Sequence, residues 1–178
     1  MNIFVSGGCK NGKSYHAQRL AQDMAKLSGV PLYYLATMEP HDEEDRARIE
    51  RHLLDRDGWG FETIEQPLNI LSSLEGQADP KGVFLLDSVT ALLSNEMFRT
   101  DGTVDLGAPQ RVAADLAAFA RRTGRTVFVS DYIYSDAHRY DALTEGYRSG
   151  LALCDRTLAE ICEQVIEVAY TSVITHKG

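Results

Sequence analysis

The sequence predicts an α/β fold, with a mostly parallel sheet carrying helices on both faces. Three observations predict it. Short β-branched or aromatic runs alternate with longer helical stretches along the chain. Several of those runs are apolar without alternation, as suits strands buried on both faces of a parallel sheet. A glycine-rich turn, G-x-x-x-x-G-K-S, follows the first run and opens the first helical stretch.

Taken in order, strands are expected over Asn2–Ser6, Leu32–Ala36, Val83–Asp87, Thr126–Ser130 and Val165–Tyr170. Each is a cluster of Val, Ile, Phe, Tyr or Leu bounded by turn-forming or charged residues. Helices are expected over Lys13–Leu27, Asp42–Asp55, Gln110–Arg122 and roughly Thr144–Cys162, where apolar residues recur at helical spacing. The alternation implies right-handed crossovers. Loops are expected around Gly58–Gly60, Gly76–Gly82, Asp101–Gly107 and Tyr132–Asp141, and none has a linker's composition. The 178 residues are therefore read as one domain, 1–178, long enough to bury one core. The last four residues, "THKG", read as a frayed end.

Composition narrows the function classes. A formal net charge of -8 argues against broad attraction to nucleic acid or to an anionic membrane. Cys9, Cys154 and Cys162 have neither metal-ligand nor disulfide-framework spacing, and read as free thiols in a reducing cytoplasm. No signal-peptide h-region and no membrane-length apolar stretch is present. The expectation is a soluble, cytoplasmic protein.

The turn carries the first chemistry. Gly7, Gly8, Cys9, Lys10, Asn11, Gly12, Lys13 and Ser14 form a complete P-loop pattern between a strand and a helix. Its glycines let backbone N–H groups close around a polyphosphate, and the helix N-terminus adds partial positive charge. Lys13 would reach the β- and γ-phosphates, and Ser14 would ligate Mg2+. Cys9 and Lys10 are the variable filler, and no role is assigned to their side chains. Asp87 closes the run "VFLLD", where a carboxylate can hold Mg2+ directly or through water. A helix N-cap at Asp87 or Ser88 is the other reading of the same spot.

A second feature lies in "HDEEDRARIERHLLDR". Arg48, His52 and Arg56 fall at i, i+4 and i+8, one stripe of a helix. Two guanidinium groups beside an imidazole favour its neutral, nucleophilic form, suited to attack on an α-phosphate. A solvated helix face paired with neighbouring acids explains the same stripe.

These stretches together resemble the bifunctional adenosylcobinamide kinase / adenosylcobinamide-phosphate guanylyltransferase family of cobalamin biosynthesis. The likeness runs through "VSGGCKNGKSYHAQ", "YYLAT", "ARIERH", "FETIEQP" and "FLLDSVTALLSNEMF", spanning roughly residues 2–98. It implies a RecA-like P-loop NTPase fold and a trimeric homo-oligomer. The implied activity is phosphorylation of adenosylcobinamide, a corrinoid, followed by GMP transfer from GTP. His52 would become the guanylyl-histidine, with Lys13 as the other catalytic residue. Thr37, Met38, Arg56, Glu65 and Asp87 would join the loop around the nucleotide, ATP or GTP, with Ser14 and Asp87 on Mg2+. After the fourth strand the family pattern V-S-N-E-V-G becomes "VSDYIYSDAHRYDALTEGYRS", and Cys154-Asp155 stand where the family has Asn-Gln. That change bears on the acceptor more than on the nucleotide. Tyr132, Tyr134, Tyr140 and Tyr147 could line an altered acceptor pocket or simply pack. Two other readings stay open: a P-loop kinase with another acceptor, and a nucleotide-dependent switch or binding protein.

Overall fold

The computed structural model describes residues 1–39, 43, 58–170 and 172–178. The helix expected over Asp42–Asp55 therefore lies outside the described residues apart from Glu43, and with it His52 and its neighbour Arg56.

The described chain runs β1 (Ile3–Gly7), α1 (Lys13–Ser28), β2 (Leu32–Ala36), β3 (Glu62–Glu65), a 3-10 turn (Ile70–Leu74) and β4 (Val83–Asp87). It continues through α2 (Val89–Met97), α3 (Ala108–Thr123), β5 (Thr126–Asp131), α4 (Ala142–Ile161), β6 (Gln164–Ala169) and β7 (Ser172–Lys177). These strands form one sheet in the order β3-β2-β4-β5-β1-β6-β7. All pairings are parallel except β6 with β7. The five expected strands are present, with ends shifted by no more than one residue.

Two cores lie on opposite faces of the sheet, as alternating side chains require. Ile3, Val5, Val127, Val129, Ile166 and Val168 pack under Ala17 and Ala21 of α1. Phe4, Phe84, Leu86 and Phe128 pack under α2, α3 and α4 through Leu92, Leu116, Phe119 and Leu151. Phe84, Phe119 and Phe128 meet edge to face, with ring centroids 5.2 and 6.4 Å apart. Truncating one such phenylalanine costs about 3–5 kcal/mol.

The tail differs from the expectation of a frayed end. Ser172–Lys177 pair antiparallel with β6, although every residue of β7 is exposed. Lys177 Nζ donates to the Ala159 and Glu160 carbonyls at 3.1 and 3.0 Å, satisfying the end of α4 with a cation.

Candidate functional site

The parallel strands end together at one edge of the sheet, where open α/β sheets bind ligands. In register, Glu65 pairs with Ala36, Ala36 with Asp87, and Gly7 with both Asp131 and Val168. Thr37 follows Ala36 directly. The sheet thus gathers residues that are far apart in the chain.

The loop from Gly8 to Gly12 turns tightly. Gly12 has φ 89° and Lys10 φ 56°, both left-handed. At Gly7 a side chain would collide with the Val168 carbonyl and the Asn11 amide, so only glycine lets the loop leave β1 there. Asn11 ties the loop down: its Nδ2 donates to the Val168 carbonyl, and its Oδ1 accepts the Lys13 N–H at 3.3 Å. The Cys9 and Lys10 side chains are exposed. Helix α1 starts at the loop with no acid in its first turn and no side-chain cap from Gly12, leaving the N–H groups that follow that of Lys13 for an anion.

Lys13 is buried, at 6% exposure. Its Nζ donates to the Gly8 carbonyl at 3.0 Å and forms an ion pair with Asp131. Asp131 closes β5, and its own N–H is held by Thr90 Oγ1 at 2.9 Å. This contact is the principal feature that reading the sequence missed. Asp131 itself is marked in the sequence as an acid ending an apolar strand, placed for an acceptor or metal role or for a loop cap, but nothing there pairs it with Lys13.

Asp87 closes β4, separated from the P-loop strand by β5. Its Oδ2 accepts the Tyr34 hydroxyl at 2.9 Å. The helix-cap role belongs to Ser88, whose Oγ accepts the Ala91 N–H at 3.2 Å. That leaves the carboxylate of Asp87 outside the cap. Ser14, the second residue of α1, is half-buried. A hydroxyl and a carboxylate are hard oxygen donors of the kind Mg2+ takes while keeping waters and phosphate oxygens for the rest. Among the described residues no group of three or more His, Cys, Asp or Glu could hold a metal ion.

Thr37 is fully buried. Its hydroxyl donates to the Ser88 carbonyl at 2.8 Å and accepts the Ser88 N–H at 2.7 Å. Asn95 Nδ2 donates to the Thr37 carbonyl at 2.7 Å, so this threonine clamps β2 to the start of α2. Met38 is half-buried beside it, and Glu65 is exposed at the end of β3. His16 is held below its ordinary pKa, first by burial and then by the Arg19 charge. Its Nε2 is buried without a hydrogen-bond partner among the described residues. Tyr15, next to Ser14, meets Trp59 edge to face at 5.6 Å.

Beyond β5, residues 132–141 form the expected loop, and Arg148 of α4 organises it. The buried Arg148 guanidinium donates to the Asp136 and His138 carbonyls and to the Asp136 and Glu145 carboxylates, and sits 4.8 Å from the Tyr140 ring centre. Tyr147 is packed in, donating to the Thr90 carbonyl at 2.8 Å. Tyr134 donates to Asp155 Oδ2 at 2.8 Å. Asp155 is 3% exposed, and burial pushes its carboxyl up to about 6. Its Oδ1 has no hydrogen-bond partner among the described residues. Burial likewise pushes the Cys154 and Cys162 thiols up to about 12, and all three cysteines are free.

A family model described as cobinamide kinase / cobinamide phosphate guanyltransferase matches residues 3–173. The chain belongs to this family. The match runs through the P-loop and through the region after β5, where the quoted motifs depart. Two relatives cover nearly the whole chain. The bifunctional adenosylcobalamin biosynthesis protein CobP of Pseudomonas aeruginosa is 28% identical over 169 residues, covering 93% of this chain and 91% of its own. CobU of Salmonella typhimurium is 26% identical over 175 residues, covering 93% of each. CobU of Escherichia coli is 34% identical over 106 residues, covering 59% of this chain and 55% of its own. Among solved structures, a KaiC-like protein of Pyrococcus horikoshii superposes with a TM-score of 0.51 at 14% identity, covering 99% of this chain and 78% of that one. The ATPase domain of G40P gives 0.51 at 12% identity, covering 99% and 76%. These likenesses support the fold alone, the α/β fold with a mostly parallel sheet expected above. No helix among the described residues is long and apolar enough to cross a membrane.

Proposed function

We propose that the chain phosphorylates adenosylcobinamide and then transfers GMP from GTP to the phosphorylated product. The observation that carries this reading is the family match from residue 3 to 173, laid over a P-loop whose lysine meets the Asp131 carboxylate at one sheet edge. In the phosphoryl step the loop amides from Gly8 to Ser14 bind the β- and γ-phosphates of ATP or GTP. Lys13 leaves Asp131 for the transferring group and stabilises charge developing on it. Ser14 and Asp87 would hold Mg2+, which would supply neutralisation of phosphate charge. Thr37, Met38 and Glu65 border the nucleotide, with Thr37 acting through backbone position.

In the guanylyl step His52 attacks the α-phosphate of GTP and expels pyrophosphate, with Arg56 beside the phosphates. The phosphate of adenosylcobinamide phosphate then attacks the guanylyl-histidine. The sequence stripe and the family likeness support this part, since His52 and Arg56 lie outside the described residues. The working form is proposed to be a cytoplasmic homotrimer, again by family likeness. The test is intact mass after incubation with Mg2+ and GTP. An acid-labile gain of one GMP in the wild type, absent from His52→Ala, is expected. No adduct in either protein would leave a kinase or a switch as the better reading.

A further inference from the structure

A cavity of about 550 Å3 opens beside the P-loop, on the sheet face opposite α1. Ser6 borders it and immediately precedes Gly7. Ser6 shares its face with Phe4, which packs under α2 to α4, whereas Val5 packs under α1. The phosphate cradle and the cavity are thus on opposite sides of one strand end. Tyr132 stands between them: its N–H donates to the Gly7 carbonyl at 3.3 Å, and its hydroxyl lies beside both the Gly8 backbone and Glu167.

The lining states what would fit. Val165 gives an apolar floor, and Tyr134 adds a ring whose hydroxyl is already engaged by Asp155. The polar rim is Tyr132, Ser135, Glu167 and His176, with His176 Nε2 2.9 Å from Glu167 Oε2. Among the described residues no lysine or arginine lines the cavity, and a carboxylate does. A phosphate would be repelled there. An uncharged group with an apolar body and amide or hydroxyl edges would be held, within the usual size range of small-molecule pockets.

We infer that this cavity is the acceptor subsite, taking the uncharged, amide-bearing edge of the acceptor so that its hydroxyl reaches the phosphates across Tyr132. The inference rests on the proposed function, since it needs an amide-bearing acceptor. It also gives the loop 132–141 and the terminal strand β7 a part in acceptor recognition. The experiment compares wild type with Ser135→Phe, which fills the cavity from an exposed position, and with Glu167→Gln. Adenosylcobinamide is the probe, followed by phosphorylation rate and by absorbance titration, with ATP affinity measured by calorimetry. The expected result is a KM for adenosylcobinamide raised about tenfold or more in Ser135→Phe. A smaller rise is expected in Glu167→Gln, with ATP affinity unchanged in both. Wild-type KM in both variants would overturn the subsite while leaving the functional reading intact. A wild type that binds ATP but neither binds nor phosphorylates adenosylcobinamide would overturn both.

Discussion

Replacing Asp131 by Asn should tighten nucleotide binding. In the structure Lys13 is already engaged, by the Asp131 carboxylate and the Gly8 carbonyl, and must give up the first of these to hold a phosphate. The carboxylate also repels the incoming triphosphate. Two unit charges about 4 Å apart are worth roughly 4 kcal/mol at an effective dielectric of about 20. Asp131 is 26% exposed, so solvent and salt reduce that figure. A charge-assisted hydrogen bond contributes about 1.5–3 kcal/mol, and Asn keeps part of it as a neutral acceptor. About 1.5 kcal/mol should therefore be gained on binding, roughly a tenfold lower Kd. Trp59, the single tryptophan, touches Tyr15 at the start of α1, so its fluorescence can follow an ATP titration. The predicted gain should shrink as ionic strength rises. An Asp131→Asn protein that binds ATP no better than wild type would refute the competition described here.

Asp155 makes stability depend on pH in a defined sense. Its folded pKa, about 6, lies above the unfolded carboxylate value of about 3.9, so the folded chain keeps a proton that the unfolded chain has lost. That contribution is fully present below the unfolded pKa and disappears as pH rises through 6. The gap corresponds to roughly 3 kcal/mol at most. Asp155→Asn should therefore raise the melting temperature at pH 8 and leave it unchanged near pH 4; equal effects at both would contradict burial as the cause. The facing groups that must stay in place are Tyr134, Ser130, Cys154 and Asp131. Arg148→Ala should free the 132–141 loop at a cost of about 2 kcal/mol, seen as faster hydrogen exchange there and not in α1. Gly7→Ala should abolish ATP binding, because the added methyl meets the Val168 carbonyl; calorimetry with retained cooperative melting would separate this from unfolding.

Much of the fold was legible because its central strands are continuous apolar runs, such as Val83–Leu86 and Val127–Val129, that admit little else. The edges were less so. In β3 only Ile64 points inward, and β7 has no buried residue; both exist because a neighbour offers a row of backbone partners. The nine-residue α2 was seen only as a cap after Asp87, since Val89 and Thr90 disguise its start as strand-like sequence. The P-loop was readable because its geometry depends on local glycines. The Lys13–Asp131 pair was not, since it joins residues 118 positions apart and depends on the register that sets Gly7 beside Asp131. Tyr132 and Tyr134 were legible as candidates, but packing had to divide them from Tyr147.

The first turn of α2 ties the site together mechanically. Ser88 is joined to β2 through Thr37, while Thr90 holds the Asp131 N–H with its hydroxyl and the Tyr147 hydroxyl with its carbonyl. Asp87 and Asp131 therefore share one support, the first turn of α2. The glycine loop faces them, held by Asn11, by Lys13 through the Gly8 carbonyl and by Tyr132 through the Gly7 carbonyl. Asp131 is thus braced from behind by α2 and tied in front to the loop through Lys13, so displacing Lys13 releases a link between the two sides of the site.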